Sequence, residues 1–118
     1  MNKTTVTRLA AVFGFAAVAL GAFGAHAFRN MLSTNGMAHT WDTAVLYHAL
    51  HSVGLLAISQ WQPMPKGVVW CFTVGILAFS GSLYLLALTG FKILGVITPF
   101  GGVAFLLGWI LLGLRRTE

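Results

Sequence analysis

From Leu9 to Phe28 the chain runs twenty residues without a charge, and His26 is the only ionisable side chain among them. A helix rises about 1.5 Å per residue, so such a run matches about 30 Å of hydrocarbon. Three more apolar runs follow, over 43–61, 67–89 and 94–114. Turn signals separate them. Asn35-Gly36 lies in a polar segment over 29–40, Gln62-Pro63-Met64-Pro65 stops the second run, and Gly90-Phe91-Lys92 stops the third. Thr98-Pro99 reads two ways, as the capped start of the last helix or as a kink within a longer one. Helices joined by short turns lie antiparallel to their neighbours. The expected fold is therefore all-α: a transmembrane four-helix up-down-up-down bundle, one domain over 1–118, with spans at 9–28, 43–61, 67–89 and 94–114.

Composition agrees. The chain is 58% apolar and 8% charged, whereas soluble domains carry roughly a quarter charged residues. A soluble fold this small has too much surface to hide so much apolar area. The net charge of +5 suggests nucleic acid only superficially. The basic residues sit singly at span ends, with no patch or aromatic platform, so nucleic acid is not an expected partner. They orient the chain instead. Lys3, Arg8, Lys66, Arg115 and Arg116 fall on one side, Arg29 and Lys92 on the other, which places both termini in the cytoplasm. Trp41, Trp61, Trp70 and Trp109 fall near span ends, where aromatic belts lie. The lone Cys71 sits in an apolar run and reads as a small hydrophobe.

The first run also resembles a signal peptide, with Ala25-His26-Ala27 as a cleavage site. Its length exceeds an ordinary signal core. Ala10, Gly14, Ala17, Gly21 and Gly24 also form a small-residue stripe that admits a neighbouring helix. A retained first helix is expected.

The second run is unlike the others. Tyr47, His48 and His51 share a 100° sector with Ala44 and Leu55. From a start near Thr43, His51 lies about 13 Å along the axis, near the membrane midplane. An ionisable group there faces the bundle interior. Thr40 or Asp42 is the expected cap of this helix. The third run offers partners in Phe79-Ser80-Gly81-Ser82-Leu83-Tyr84. Three readings follow. The group is a polar clamp between helices, in an accessory or ligand-binding membrane protein; a proton relay, in a small transporter or channel acting as a homo-oligomer; or a histidine-ligated metal or haem redox site, with His48 and His51 joined by His26 or His39. The sequence has no Ser-His-acid constellation at a plausible depth, and the glycines of 95–102 lack the lysine and strand of a phosphate loop. Neither an enzyme nor a cofactor is expected; the partners are the bilayer and another membrane protein or a second copy.

Four ordered motifs carry a likeness: Gly21 to His26 (G-A-F-G-A-H), Thr43 to His51 (T-A-V-x-Y-x-x-x-H), Phe79 to Tyr84 (F-S-G-S-L-Y) and Thr98 to Gly102 (T-P-x-G-G). Together they resemble the YgdD/YwdK-type family of small four-helix membrane proteins of unknown function. The resemblance implies a multi-pass protein of the bacterial inner membrane with an uncleaved first helix. Its recurring positions correspond to His26, Tyr47, His51, Ser80, Ser82, Thr98 and Pro99; His48 lies outside the pattern. The candidate polar network is thus His26, Tyr47, His51, Ser80, Ser82, Tyr84 and Thr98, joining helices one, two and three.

Overall fold

The computed structural model describes residues 1–116; Thr117 and Glu118, the end of the expected domain, lie outside the described residues. Among the described residues the fold is all-helical, with no strand. Helix α1 spans Lys3–Ala25. It starts well before the apolar run because the Asn2 side chain accepts from the Thr5 N–H at 2.9 Å, capping the first turn. Helix α2, Arg29–Thr34, occupies part of the segment expected to be loop. Helix α3 spans Ala38–Ser59.

The early start of α3 changes the role of Asp42. It lies inside the helix instead of capping it, and pairs with Arg29 at 3.0 Å on the exposed surface. The third expected span is one rod, Lys66–Thr89. It consists of α4 (Lys66–Gly75), a π-helical turn (Ile76–Ser80) and α5 (Gly81–Thr89). Helix α6 is Leu94–Leu114 with Pro99 inside it. The Thr98-Pro99 pair therefore sits within the helix, and proline removes the donor that would reach the Gly95 carbonyl.

Helix α1, the Lys66–Thr89 rod and α6 are long and apolar enough to cross a membrane. Helix α3 has the length, at 22 residues, but its hydropathy is lowered by His39, Asp42, His48, His51 and Ser52.

Helix α1 lies along α3 by its small-residue stripe, with Ala10, Ala17 and Gly24 buried. Gly24 is where the approach is closest. The Trp41 indole lies against it, and any β-carbon there would overlap the ring. Trp41 also donates to the Leu20 carbonyl at 2.9 Å. It is 1% exposed, so it is a packing anchor between two helices and not part of an interfacial belt. At the other end of the pair the Thr7 hydroxyl donates to Ser59 at 3.2 Å.

The rod packs on α3 and α6. Gly101 of α6 meets the backbone of Ala78 and Phe79 directly, and a β-carbon there has no room. The π turn is thus held between α3 and a bare stretch of α6. Two apolar clusters result. One gathers Val6, Leu55, Phe72, Ile76 and Phe105; the other gathers Leu32, Trp41, Ala44, Tyr84 and Ala87. The histidines of α3 fall between them in sequence.

Candidate functional site

The buried face of α3 is Trp41, Ala44, His48, His51, Leu55 and Ile58, with Ser52 and Ser59 beside it. The spacing is 3-4-3-4-3, a continuous inward stripe. Tyr47 lies about 70° from the centre of that stripe at 100° per residue, and it is 40% exposed. The sector drawn from Tyr47 to His51 was therefore off-centre. Trp41, assigned to a belt, belongs to the stripe. His48, outside the recurring motif, is central and 4% exposed. The helix start at Ala38 also moves the midpoint of α3 to between His48 and Ala49, leaving His51 about 4 Å beyond it.

His51 is 2% exposed. Its Nδ1–H donates to the Tyr47 carbonyl at 2.8 Å, and its Nε2 accepts from the Trp109 indole N–H at 3.0 Å. The partners fix the tautomer, because a carbonyl only accepts and an indole only donates. The ring stacks on Phe105, with centroids 3.6 Å apart and planes 11° apart, and Phe72 meets it edge-on at 4.9 Å. Both nitrogens are engaged, so nothing is left to ligate a metal.

His48 is arranged differently. Its Nδ1 lies 2.8 Å from the Tyr84 hydroxyl, while its Nε2 is buried and unpartnered among the described residues. Phe13 of α1 stands edge-on to it at 6.1 Å, and Trp41 packs against Tyr84 at 4.9 Å.

The motif over 79–84 divides between two neighbours. Ser80 and Tyr84, one turn apart, face α3; Ser80 donates to the Ala44 carbonyl at 2.8 Å. Ser82 points the other way. It donates to the Phe79 carbonyl at 2.9 Å and shares a 2.6 Å hydrogen bond with Thr98 of α6. His26 is exposed at the C-terminal cap of α1 and makes no side-chain hydrogen bond among the described residues. The candidate residues thus form separate local pairs. Helix α1 joins them through Trp41 instead of His26, and α6 contributes Trp109 and Thr98. Trp109 had a readable signal: it follows Phe105 by one turn. No three His, Cys, Asp or Glu side chains gather as a metal site among the described residues.

Beside the His51 cluster a groove of about 400 Å³ opens laterally between α3 and α6. Its walls include Tyr47, His51, Phe79, Pro99, Phe105 and Trp109. Tyr47 lies 5.1 Å from Phe79 and 6.4 Å from Phe105, and Phe79 lies 5.6 Å from Phe105, all between ring centroids.

A family model described as "Protein of unknown function (DUF423)" matches residues 20–102. A UPF0382 membrane protein of Staphylococcus saprophyticus is 44% identical over 88% of this chain and 89% of its own length. The UPF0382 membrane protein YwdK of Bacillus subtilis is 40% identical over 88% of this chain and 89% of its own. The UPF0382 inner membrane protein YgdD of Escherichia coli is 38% identical over 95% and 88%. No solved structure matches.

Proposed function

The chain belongs to the DUF423 family of UPF0382 membrane proteins, and from that premise we propose a non-enzymatic, multi-pass inner-membrane protein that binds a bilayer-soluble molecule in the groove between α3 and α6. Four helices cross in this reading, up-down-up-down, with both termini cytoplasmic and the first helix retained. Helix α3 supplies the fourth crossing. Its polar groups His48, His51 and Ser52 turn inward, while Leu46, Leu50, Val53 and Leu56 are exposed and suit lipid. Alternation of direction is supported by the residues that meet: Thr7 with Ser59, Leu20 with Trp41, Ser82 with Thr98, His51 with Trp109.

The cytoplasmic end gathers cations. Arg115 lies over Trp61 at 5.1 Å and donates to the Pro63 carbonyl, in the turn that carries Lys66. On the opposite side lie Arg29 and Lys92. That asymmetry favours cytoplasmic termini.

The observation that carries ligand binding is the groove itself. It is concave, aromatic-walled and open sideways to lipid, of the size small-molecule sites have. Its floor is rigid, because His51 is held at both nitrogens and stacked on Phe105. Photolabelling in nanodiscs with 3-trifluoromethyl-3-phenyldiazirine tests it. Adducts should concentrate on Tyr47, Leu106 and Trp109 and be lost in Gly102→Leu, which fills the groove. Equal labelling of the Val12, Phe15 and Val18 face, unchanged by Gly102→Leu, refutes the reading.

A further inference from the structure

The Tyr47 hydroxyl is the polar handle of this groove. Its backbone carbonyl is taken by His51, but among the described residues its hydroxyl has no hydrogen-bond partner, and the side chain stands on the groove wall. The residue lies about 2 Å from the middle of α3 along the axis. Lipid ester oxygens lie roughly 15 Å from the midplane of a 30 Å hydrocarbon layer. A hydroxyl at that depth meets neither water nor headgroup, and an unpaired donor in hydrocarbon is costly. An acyl chain fills the space and leaves that cost in place.

Two further features narrow the occupant. The Tyr47, His51 and Phe105 rings lie within 11° to 19° of parallel; His51 and Phe105 cover each other and are buried, and Tyr47, 40% exposed, carries the free aromatic surface of the wall. Phe79 closes the groove at about 60° to Tyr47, and Trp109 is 45% exposed at its mouth. Flat rings gain from offset or edge contacts with such a wall.

We propose that the groove receives a planar, bilayer-soluble ring compound bearing a carbonyl, of the quinone chemical class, whose oxygen accepts from the Tyr47 hydroxyl while the ring lies against the aromatic wall. This rests on the groove being a binding site, and adds the chemistry of what binds there.

Matched probes separate the two. Anthracene and 9,10-anthraquinone share one ring frame, and only the second has carbonyl acceptors. Both lower tryptophan emission. Each is titrated into nanodiscs holding a Trp61→Phe/Trp70→Phe protein, whose emission then reports Trp109 and the shielded Trp41. The saturable component should give anthraquinone about fivefold tighter binding, the worth of one hydrogen bond. Tyr47→Phe should abolish that preference and leave anthracene binding unchanged. Saturable binding of both with equal affinity overturns the ligand class and leaves the groove standing as a site. A preference that survives Tyr47→Phe overturns the role of Tyr47. No saturable response to either probe removes the groove as a site altogether.

Discussion

His48 and His51 stand one turn apart on the same inward stripe of α3, equally hidden, and the surroundings treat them in opposite ways. His51 meets a carbonyl on one nitrogen and an indole N–H on the other, with aromatic rings on its face and edge. One tautomer alone satisfies all of this, so the ring is pinned. His48 meets a phenol, which both donates and accepts, and its other nitrogen makes no hydrogen bond among the described residues. If Tyr84 donates, only an Nε2–H is left over; if Nδ1–H donates, both the phenol hydrogen and the Nε2 lone pair are left over. The surroundings therefore favour an Nε2–H tautomer at His48, the opposite of His51. Burial therefore does not decide which tautomer a histidine holds or whether both its nitrogens are satisfied. The chemistry of its two neighbours does.

The contrast can be broken most severely at His51. His51→Ala removes the stacked ring and strands the Trp109 donor. Equilibrium unfolding in mixed micelles should record a loss of about 3 kcal/mol, combining cavity and unsatisfied-group costs. A loss no larger than that at His48 would erase the distinction. His48→Leu should cost about 1–2 kcal/mol, because it leaves the Tyr84 hydroxyl buried without its partner. Adding Tyr84→Phe should recover most of that, since both halves of the pair are then apolar. A double variant as unstable as the sum of the two singles would mean the pair is not coupled. The gentlest probe perturbs nothing. Nitrogen-15 spectra of the histidine rings should find His51 as the Nδ1–H tautomer and His48 as the Nε2–H tautomer; the same tautomer at both would contradict the contrast.

Much of the fold was legible. Run lengths, prolines and glycine turns located the helical segments, and the small-residue stripe of α1 identified the face that meets α3. The motif residues Ser80, Ser82, Tyr84 and Thr98 do bond across helices. What failed was phase. Apolar content marks where a helix is greasy, and it cannot see that Asn2 caps α1 early or that α3 reaches back to Ala38 through polar residues. With α3 begun five residues late, its middle was assigned to His51, and Tyr47 was drawn inside. Tryptophan misled for a related reason. Near a span end it reads as a belt residue, but the indoles of Trp41 and Trp109 are spent on the Leu20 carbonyl and on His51. Only the 3-4-3-4-3 spacing through Trp41, and the one-turn offset of Trp109 from Phe105, carried that information.

The π turn at Ile76–Ser80 makes the rod a phase shifter. It inserts one residue of rotation, about 100°, between the half that carries Phe72 to His51 and the half that carries Tyr84 to His48. A straight α-helix of the same sequence could aim one of those aromatics correctly, never both. The length of the rod is therefore quantised. It cannot lose or gain a single residue near its centre without unhooking one histidine from its neighbour, even though lipid thickness alone would tolerate the change.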